Sequence, residues 1–398
     1  MNLSQLALAY LRHRPLNTFL NVILLALGVA MIVVLLLFSA QVEDRLTRDS
    51  RGIDMVVGAK GSPLQLILSS IYQIDMPTGN ISLADAKKLK SHPMIKTIVP
   101  LALGDAFRGF RIVGTEHSYL GLYEAKLAQG ELWANPLDAT LGAKVAQVTG
   151  LKLGDSFTGA HGLGAGGGEH EAAPFKVVGI LAETGSVADR LVLTGIDSVW
   201  KMHELHAEHE AIDETDEGKE VTSLLIQYRT PLAGVSLPRE INSRSAMQAA
   251  SPAFETARLL SLVGFGVDTL RAFAIVLMAS ALLAMFIALT NTLDERRYDL
   301  AIMRTLGAGN GWLFALVLLQ GIILAGISVL IGIALGHLAA QILGMWFNIT
   351  QQMAFTGLTW VKEEFWLIAV AIGVGIIAAI LPAIRAYRTD IAKTLAKE

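Results

Sequence analysis

Four charge-free apolar runs punctuate the chain, at residues 18–40, 272–291, 312–335 and 365–384. As helices rising about 1.5 Å per residue, each reaches across a hydrocarbon core about 30 Å thick. Residues 41–269, between the first two runs, contain nothing comparable. A segment of that size can bury a core of its own, or two smaller ones. The pattern predicts a membrane protein of four transmembrane α-helices, with a large α+β domain inserted between helices 1 and 2. The third run extends outward to about residue 347, and a short loop, residues 348–364, separates it from the fourth.

Within the insertion the pattern shortens. Residues 97–103, 110–114, 175–181, 191–194 and 223–228 are β-branched or alternating runs and predict strands. Residues 139–148 and 196–210 predict helices. Ser82-Leu-Ala-Asp85 has the spacing of a capping box, with Asp in place of Glu, and opens a further helix. Residues 160–168 (AHGLGAGGG) and the acidic residues 211–220 predict loops. Residues 254–270 are helix-periodic, with Leu259, Leu260, Val263 and Val267 on one side, and run without a break into 272–291. One long helix is expected there, its first part a stalk standing out of the membrane.

Composition agrees with the membrane assignment: 53% hydrophobic and 17% charged residues, where soluble domains run nearer a quarter charged. A net charge of −3 without a basic stripe excludes nucleic acid as a partner. The chain has no cysteine, which excludes disulfides, thiolate metal sites and thiol nucleophiles. Arg12 and Arg14 precede the first run, which is too long for a cleaved signal sequence and reads as an uncleaved anchor.

Lys and Arg in the short flanks set the orientation. Arg12, Arg14, Arg296, Arg297, Arg304, Arg385, Arg388, Lys393 and Lys397 fall on one side, and Lys362 alone on the other. Arg45, Arg48, Arg51 and Arg271 flank the long insertion and count the other way, but long domains translocate largely regardless of charge. The expected layout has cytoplasmic residues 1–17, 292–311 and 385–398, a periplasmic domain at 41–269, and both termini inside.

The segment 289–311 (LTNTLDERRYDLAIMRTLGAGNG) is polar yet tightly bracketed by membrane-length sequence. As a helix over 293–306, it sets Leu293, Arg297, Leu300 and Arg304 on one face, and Gly307 is placed to end it. Such a helix suits docking into a groove on a cytoplasmic partner; a basic loop resting on lipid headgroups fits the same residues.

Residues 295–308, ERRYDLAIMRTLGA, resemble the E-R-x-x-E-(I/L)-A-x-L-R-A-L-G-A signature of ABC-transporter permeases of the MacB/LolC/FtsX (type VII, mechanotransmission) family. Asp299 and Thr305 depart mildly from it. Residues 7–26 resemble the family's basic lead into the first span, and residues 381–390 (LPAIRAYRTD) its C-terminal pattern. Residues 150–157 and 175–181 resemble strand motifs of its periplasmic domain. The resemblance implies that Glu295, Arg296, Arg297, Asp299, Leu300, Arg304, Leu306 and Gly307 form a coupling helix that contacts a separate ABC ATPase subunit. It also implies pairing with a second permease chain, expected to be a homodimer, in a bacterial inner membrane. ATP and Mg²⁺ then act in the partner, and ATP-driven motion is relayed along the stalk to the periplasmic domain. Gly321, Gly326, Gly332, Gly336, Gly373 and Gly375 suit close helix packing, and the charge-free spans argue against an ion pathway.

No catalytic residue is expected. The glycines at 58–62 and 162–168 lack P-loop spacing, HExxH is absent, and Ser198, His203 and Asp189 lack a nucleophile elbow. Two histidine clusters stand out in the insertion: His161 and His170 around the glycine-rich loop, and His203, His206 and His209. Imidazoles with nearby glutamates suit zinc; a solvated helix surface accounts for the same residues. Three functions follow: a permease subunit exporting or extracting an envelope substrate, metal-linked if zinc binds; an FtsX-like regulator that switches a periplasmic partner such as a cell-wall hydrolase; and a metal-sensing receptor.

Overall fold

The computed structural model describes residues 3–161, 174–206, 219–351 and 355–388. The chain opens with α1 (Leu3–Arg12) and α2 (Pro15–Asp49). There follow β1 (Met55–Ala59), α3 (Pro63–Ser70), β2 (Ile81–Ser82), α4 (Leu83–Lys90), β3 (Ile95–Phe107), β4 (Phe110–Thr115) and α5 (Ser118–Leu122). Next come β5 (Leu127–Gly130), β6 (Asp138–Leu141), α6 (Ala143–Thr149), β7 (Ser156–Phe157), β8 (Ala160–His161), β9 (Phe175–Leu181), β10 (Leu191–Gly195) and α7 (Ile196–His206). The remainder is β11 (Glu220–Val221), β12 (Ser223–Tyr228), α8 (Ala233–Arg244), β13 (Met247–Ala250), α9 (Pro252–Glu295), α10 (Arg297–Thr305), α11 (Asn310–Gln351) and α12 (Glu363–Tyr387). These elements form two compact units: a helical unit of residues 1–42 and 262–398, and a sheet unit of residues 43–261.

The sheet unit is built on one mixed sheet. Its order is β13-β1-β12-β3-β4-β10-β6-β9-β5, with β7 added on β9 and β8 on β3. β12 pairs antiparallel with both β1 and β3, and β4 and β10 run parallel. Two apolar cores share this sheet. One joins Met55, Val57, Leu224, Ile226 and Met247 to Leu237 and Ile241 of α8. The other joins Phe110, Leu141, Phe175, Val177 and Val192 to Val145 of α6 and Met202 of α7. Alternation along Phe175–Leu181 turns Phe175, Val177, Gly179 and Leu181 inward, the period-2 signature of a half-buried strand.

The five predicted strands and the Ser82 cap are present: the Ser82 hydroxyl accepts from the Asp85 amide. Three local expectations need correction. The helix expected over 139–148 is split, with Asp138–Leu141 in the sheet between β10 and β9 and the helix starting only at Ala143. Thr140 and Leu141 are held by strand pairing on both sides, and Gly142, in extended geometry, caps the helix at a place where a Cβ would lie 2.3 Å from the Ala188 carbonyl. The loops expected at 160–168 and 211–220 each give up an end to a strand, Ala160–His161 on β3 and Glu220 on β2. The rest of both loops, and residues 207–210 of the expected helix, lie outside the described residues.

Four helices among the described residues are long and apolar enough to cross a membrane: Pro15–Asp49, Pro252–Glu295, Asn310–Trp346 and Glu363–Tyr387. The expected stalk and second run form one helix, α9. In the helical unit, Leu25, Val29 and Val33 of α2 pack with Met278, Ala281 and Met285 of α9, Leu324 and Val329 of α11, and Ala371 and Ala378 of α12. Small residues set the spacing. A Cβ on Gly375 would meet Ala325 Cβ at 2.4 Å, and one on Gly332 would lie 2.8 Å from the Ala26 carbonyl. Gly321 and Gly336 are similarly crowded, whereas Gly326 and Gly373, expected to do the same, face open space.

Polar side chains stitch one end of this bundle to the segment 355–361. Gln41 of α2 donates to the Thr356 carbonyl (2.8 Å) and accepts from its amide (3.0 Å). Gln341 of α11 accepts from the Thr356 hydroxyl and the Gly357 amide, both at 2.9 Å. His337 Nδ1 lies 2.6 Å from the Gly357 carbonyl, and its Nε2 lies 3.0 Å from Glu364, which is 1% exposed. Its two ring nitrogens thus face two oxygen atoms, the Gly357 carbonyl and the Glu364 carboxyl.

Candidate functional site

The charged segment between the second and third apolar helices is the best candidate site. A single helix over 293–306 is not what forms. α9 ends at Glu295, Arg296 leaves helical geometry (φ −105°, ψ 16°), and α10 begins at Arg297. Asp299 in the first turn and Arg304 in the last complement the helix dipole. Gly307, at φ +102°, ends α10: its amide donates to the Arg304 carbonyl and the Ala308 amide to the Met303 carbonyl, each at 3.0 Å. That pair of bonds is a Schellman motif, which needs a left-handed residue at Gly307 and turns the chain into α11.

α10 has two apolar faces. Leu300 (3% exposed) and Ala301 seat it against Leu313 and Val317 of α11 and Ala383 and Ala386 of α12. The opposite face presents Tyr298 (49% exposed), Ile302 (38%) and Leu306 (82%), with Asp299 and Thr305 also exposed. Of the residues expected to face a partner, Leu300 is buried, and Tyr298 and Ile302, not among those expected, stand exposed. The signal was legible in the sequence as the spacing i, i+4, i+8, but two apolar stripes compete there and sequence alone does not rank them. Arg304 is half-buried, and the Arg297 side chain lies outside the described ones. Glu295 and Arg296 point back into the unit: Glu295 is ion-paired with Arg14, and the Arg296 guanidinium lies 4.0 Å from the Tyr10 ring centroid.

The sheet unit contains the last turns of α2 and the first turns of α9, and tyrosines join them. Tyr72 donates to the Leu46 carbonyl (3.3 Å) and meets the Thr256 hydroxyl at 2.5 Å. Tyr123 donates to the Asp49 carbonyl at 3.2 Å, and Arg190 pairs with the Asp49 carboxylate at 3.2 Å. Burial pushes Tyr72 and Tyr123 above the ordinary tyrosine range and holds Arg190 below the usual arginine value. In β4, Arg111 is buried and spent on backbone, donating to the Asp75 carbonyl at 2.9 Å; burial lowers its pKa to about 10.

Of the expected zinc ligands, His161 lies on β8 opposite Asp105, and His203 and His206 lie on α7, three positions apart. Their side chains, and His170 and His209 entirely, lie outside the described residues. Among the described residues no group of three or more His, Asp or Glu is placed to hold a metal. Ser198 and Asp189 have structural partners. Ser198 accepts from the Leu137 amide (2.9 Å) and the Thr194 hydroxyl, and Asp189 accepts from the Thr184 and Gly185 amides.

Comparison with known proteins adds the family. The model of the MacB-like periplasmic core domain matches residues 18–232, and that of the FtsX-like permease C-terminal domain matches residues 271–391. An uncharacterized ABC transporter permease protein of Mycobacterium tuberculosis is 26% identical over 324 residues, 77% of this chain and 35% of the relative. The chain thus spans about a third of that relative's length. The periplasmic region of MacB from Actinobacillus actinomycetemcomitans aligns over 54% of this chain and 97% of its own, at 14% identity and a TM-score of 0.35. The extracellular domain of the noncanonic ABC-type transporter YknZ from Gram-positive bacteria aligns over 50% and 99%, at 13% identity and a TM-score of 0.30. One family model covers more than half of the chain and a second covers most of the remainder, so the chain is an ABC transporter permease of the MacB/FtsX family.

Proposed function

We propose that this chain is the non-catalytic membrane subunit of a bacterial inner-membrane ABC system. In this reading a separate ATPase docks on α10, and its motion is relayed through α9 to a periplasmic sheet unit. Both termini and α10 then lie in the cytoplasm, in keeping with the distribution of Arg and Lys. Two copies pair, and the work is export or extraction of an envelope substrate. The observation that carries the docking reading is the outward face of α10, where Tyr298, Ile302 and Leu306 stand exposed on a short helix whose other face is seated in the bundle. An aromatic and two aliphatic side chains with a charged rim make the kind of small anchor patch on which a partner's groove gains affinity. Tyr72, Tyr123 and Arg190 fasten the helix ends that enter the sheet unit, which suits transmission of a push or twist.

The test is capture of the full-length tagged chain from its own membranes in mild detergent. An ABC ATPase should be retained with the unchanged chain and lost from Ile302→Glu. Absence of any ABC ATPase, or its full retention by Ile302→Glu, refutes the docking reading.

A further inference from the structure

Glu295 and Arg296, near the start of the charged segment, both contact the N-terminal part of the helical unit. The Glu295 carboxylate meets the guanidinium of Arg14, in the two-residue link between α1 and α2. One position on, the Arg296 guanidinium lies over the Tyr10 ring of α1, 4.0 Å from its centroid. Both contacts fall at the break between α9 and α10, where Arg296 leaves helical geometry. α1 is itself seated on α11: Leu6 and Ala7 pack against Leu316, and Met303 of α10 borders the same cluster. Beside Tyr10 and Arg14 is a small cleft of about 30 Å³, partly open to solvent and lined by polar residues such as Asn21 and Gln320 and apolar ones such as Leu289 and Leu324.

The Arg14 and Glu295 side chains are 35% and 49% exposed. Exposed ion pairs contribute little to folding, because water competes for both partners. A pair that adds little stability yet bridges two elements across a helix break can be broken and remade cheaply when the joint moves. A cation over an aromatic ring tolerates sliding better than a directional hydrogen bond, since the attraction is to the whole ring face.

We propose that Arg14–Glu295 and Tyr10–Arg296 form a clasp that makes α1 a moving part of the coupling element. A push on α10 then turns the α1–α2 link together with the end of α9, so two membrane helices are driven at once. Glu295 and Arg296 are positioning residues that act through α1, and the ATPase contacts lie on Tyr298, Ile302 and Leu306. The proposal rests on the docking reading of α10.

Charge reversal tests it in the full chain and its ATPase complex. Arg14→Glu and Glu295→Arg should each leave ATPase association within about two-fold and lower the complex's ATP turnover about five-fold. The double reversal should restore turnover. If Glu295→Arg abolishes association and the double reversal does not recover it, Glu295 is a direct ATPase contact and the clasp is wrong. Unchanged turnover in both single variants also overturns it. A second readout needs no ATPase. The cysteine-free chain accepts spin labels at Ser4→Cys and Thr305→Cys, whose separation should broaden in Glu295→Arg and narrow again in the double reversal. A distribution indifferent to both changes overturns the clasp, whereas failure of the docking reading shows as an ATPase that never associates with the unchanged chain.

Discussion

Two leucines on α10, six positions apart, make opposite predictions. Leu300 is buried against Leu313, Val317, Ala383 and Ala386, and Leu306 is 82% exposed. Leu300→Ala removes a buried side chain whose neighbours include two alanines, which are too small to move in and fill the space. The expected loss is about 3 kcal/mol, within the range for leucine truncation in a packed site. Leu306→Ala leaves the isolated chain within about 0.5 kcal/mol, since an exposed side chain has little to lose. If Leu306 is covered when the ATPase docks, its truncation forfeits about 1.5 to 2 kcal/mol of apolar burial, or about ten- to thirty-fold in affinity. Thermal unfolding of the purified chain in detergent measures the first quantity, and titration of the immobilised chain with its ATPase the second. A Leu300→Ala protein with unchanged unfolding temperature refutes the seating of α10. A Leu306→Ala protein that binds within two-fold of the original refutes the docking face.

Three further outcomes are expected. Gly375→Val should break the α11–α12 contact and yield aggregated or protease-sensitive protein, while Gly373→Val, facing open space, should elute and unfold like the original; equal behaviour of the two refutes the packing. Tyr72, Tyr119 and Tyr123 have raised pKa values because burial disfavours the phenolate. Their contribution to stability is therefore complete below about pH 10, the unfolded value, and lost as pH rises through the folded values. Thermal unfolding scans at increasing pH should show that loss, and Tyr119→Phe/Tyr123→Phe should flatten it. For the histidine clusters, the zinc reading predicts stoichiometric metal in the full chain after dialysis against a zinc-containing buffer, reduced by His161→Ala or His203→Ala; no retained zinc refutes it.

Much of the architecture was legible because single interactions dominate locally. A charge-free apolar run has few alternatives to a long helix, and the alternation in residues 175–181 and the short apolar run in 223–228 match two observed strands. Legibility failed where distant contacts decide. Residues 139–141 have an adequate helical pattern, but β10 and β9 claim them as a strand from opposite sides. The break at Arg296 has no glycine or proline to announce it, and it coincides with contacts to Tyr10 and Arg14 at the far end of the chain. The two stripes of α10 are similar in apolar character, and the seats offered by Leu313 and Ala383 decide which is buried. His337 and Glu364 were passed over because one lies in an apolar run and the other at its edge. Their pairing depends on how α11 and the first turn of α12 meet.

The stitching of Gln41, His337, Gln341 and Glu364 around residues 356–361 bears on leverage. Several hydrogen bonds from three helices converge on one short segment. In the proposed relay, that end of the bundle serves as the fulcrum. Along α11, Gln341 and Leu313 stand roughly 42 Å apart at 1.5 Å per residue. A tilt of about 5° about the stitched end would carry the Leu313 end sideways by roughly 4 Å over that arm. Run in reverse, the proposed relay would turn a large, weak movement at α10 into a small, forceful one beside Thr356, the gearing expected of a lever loaded near its pivot.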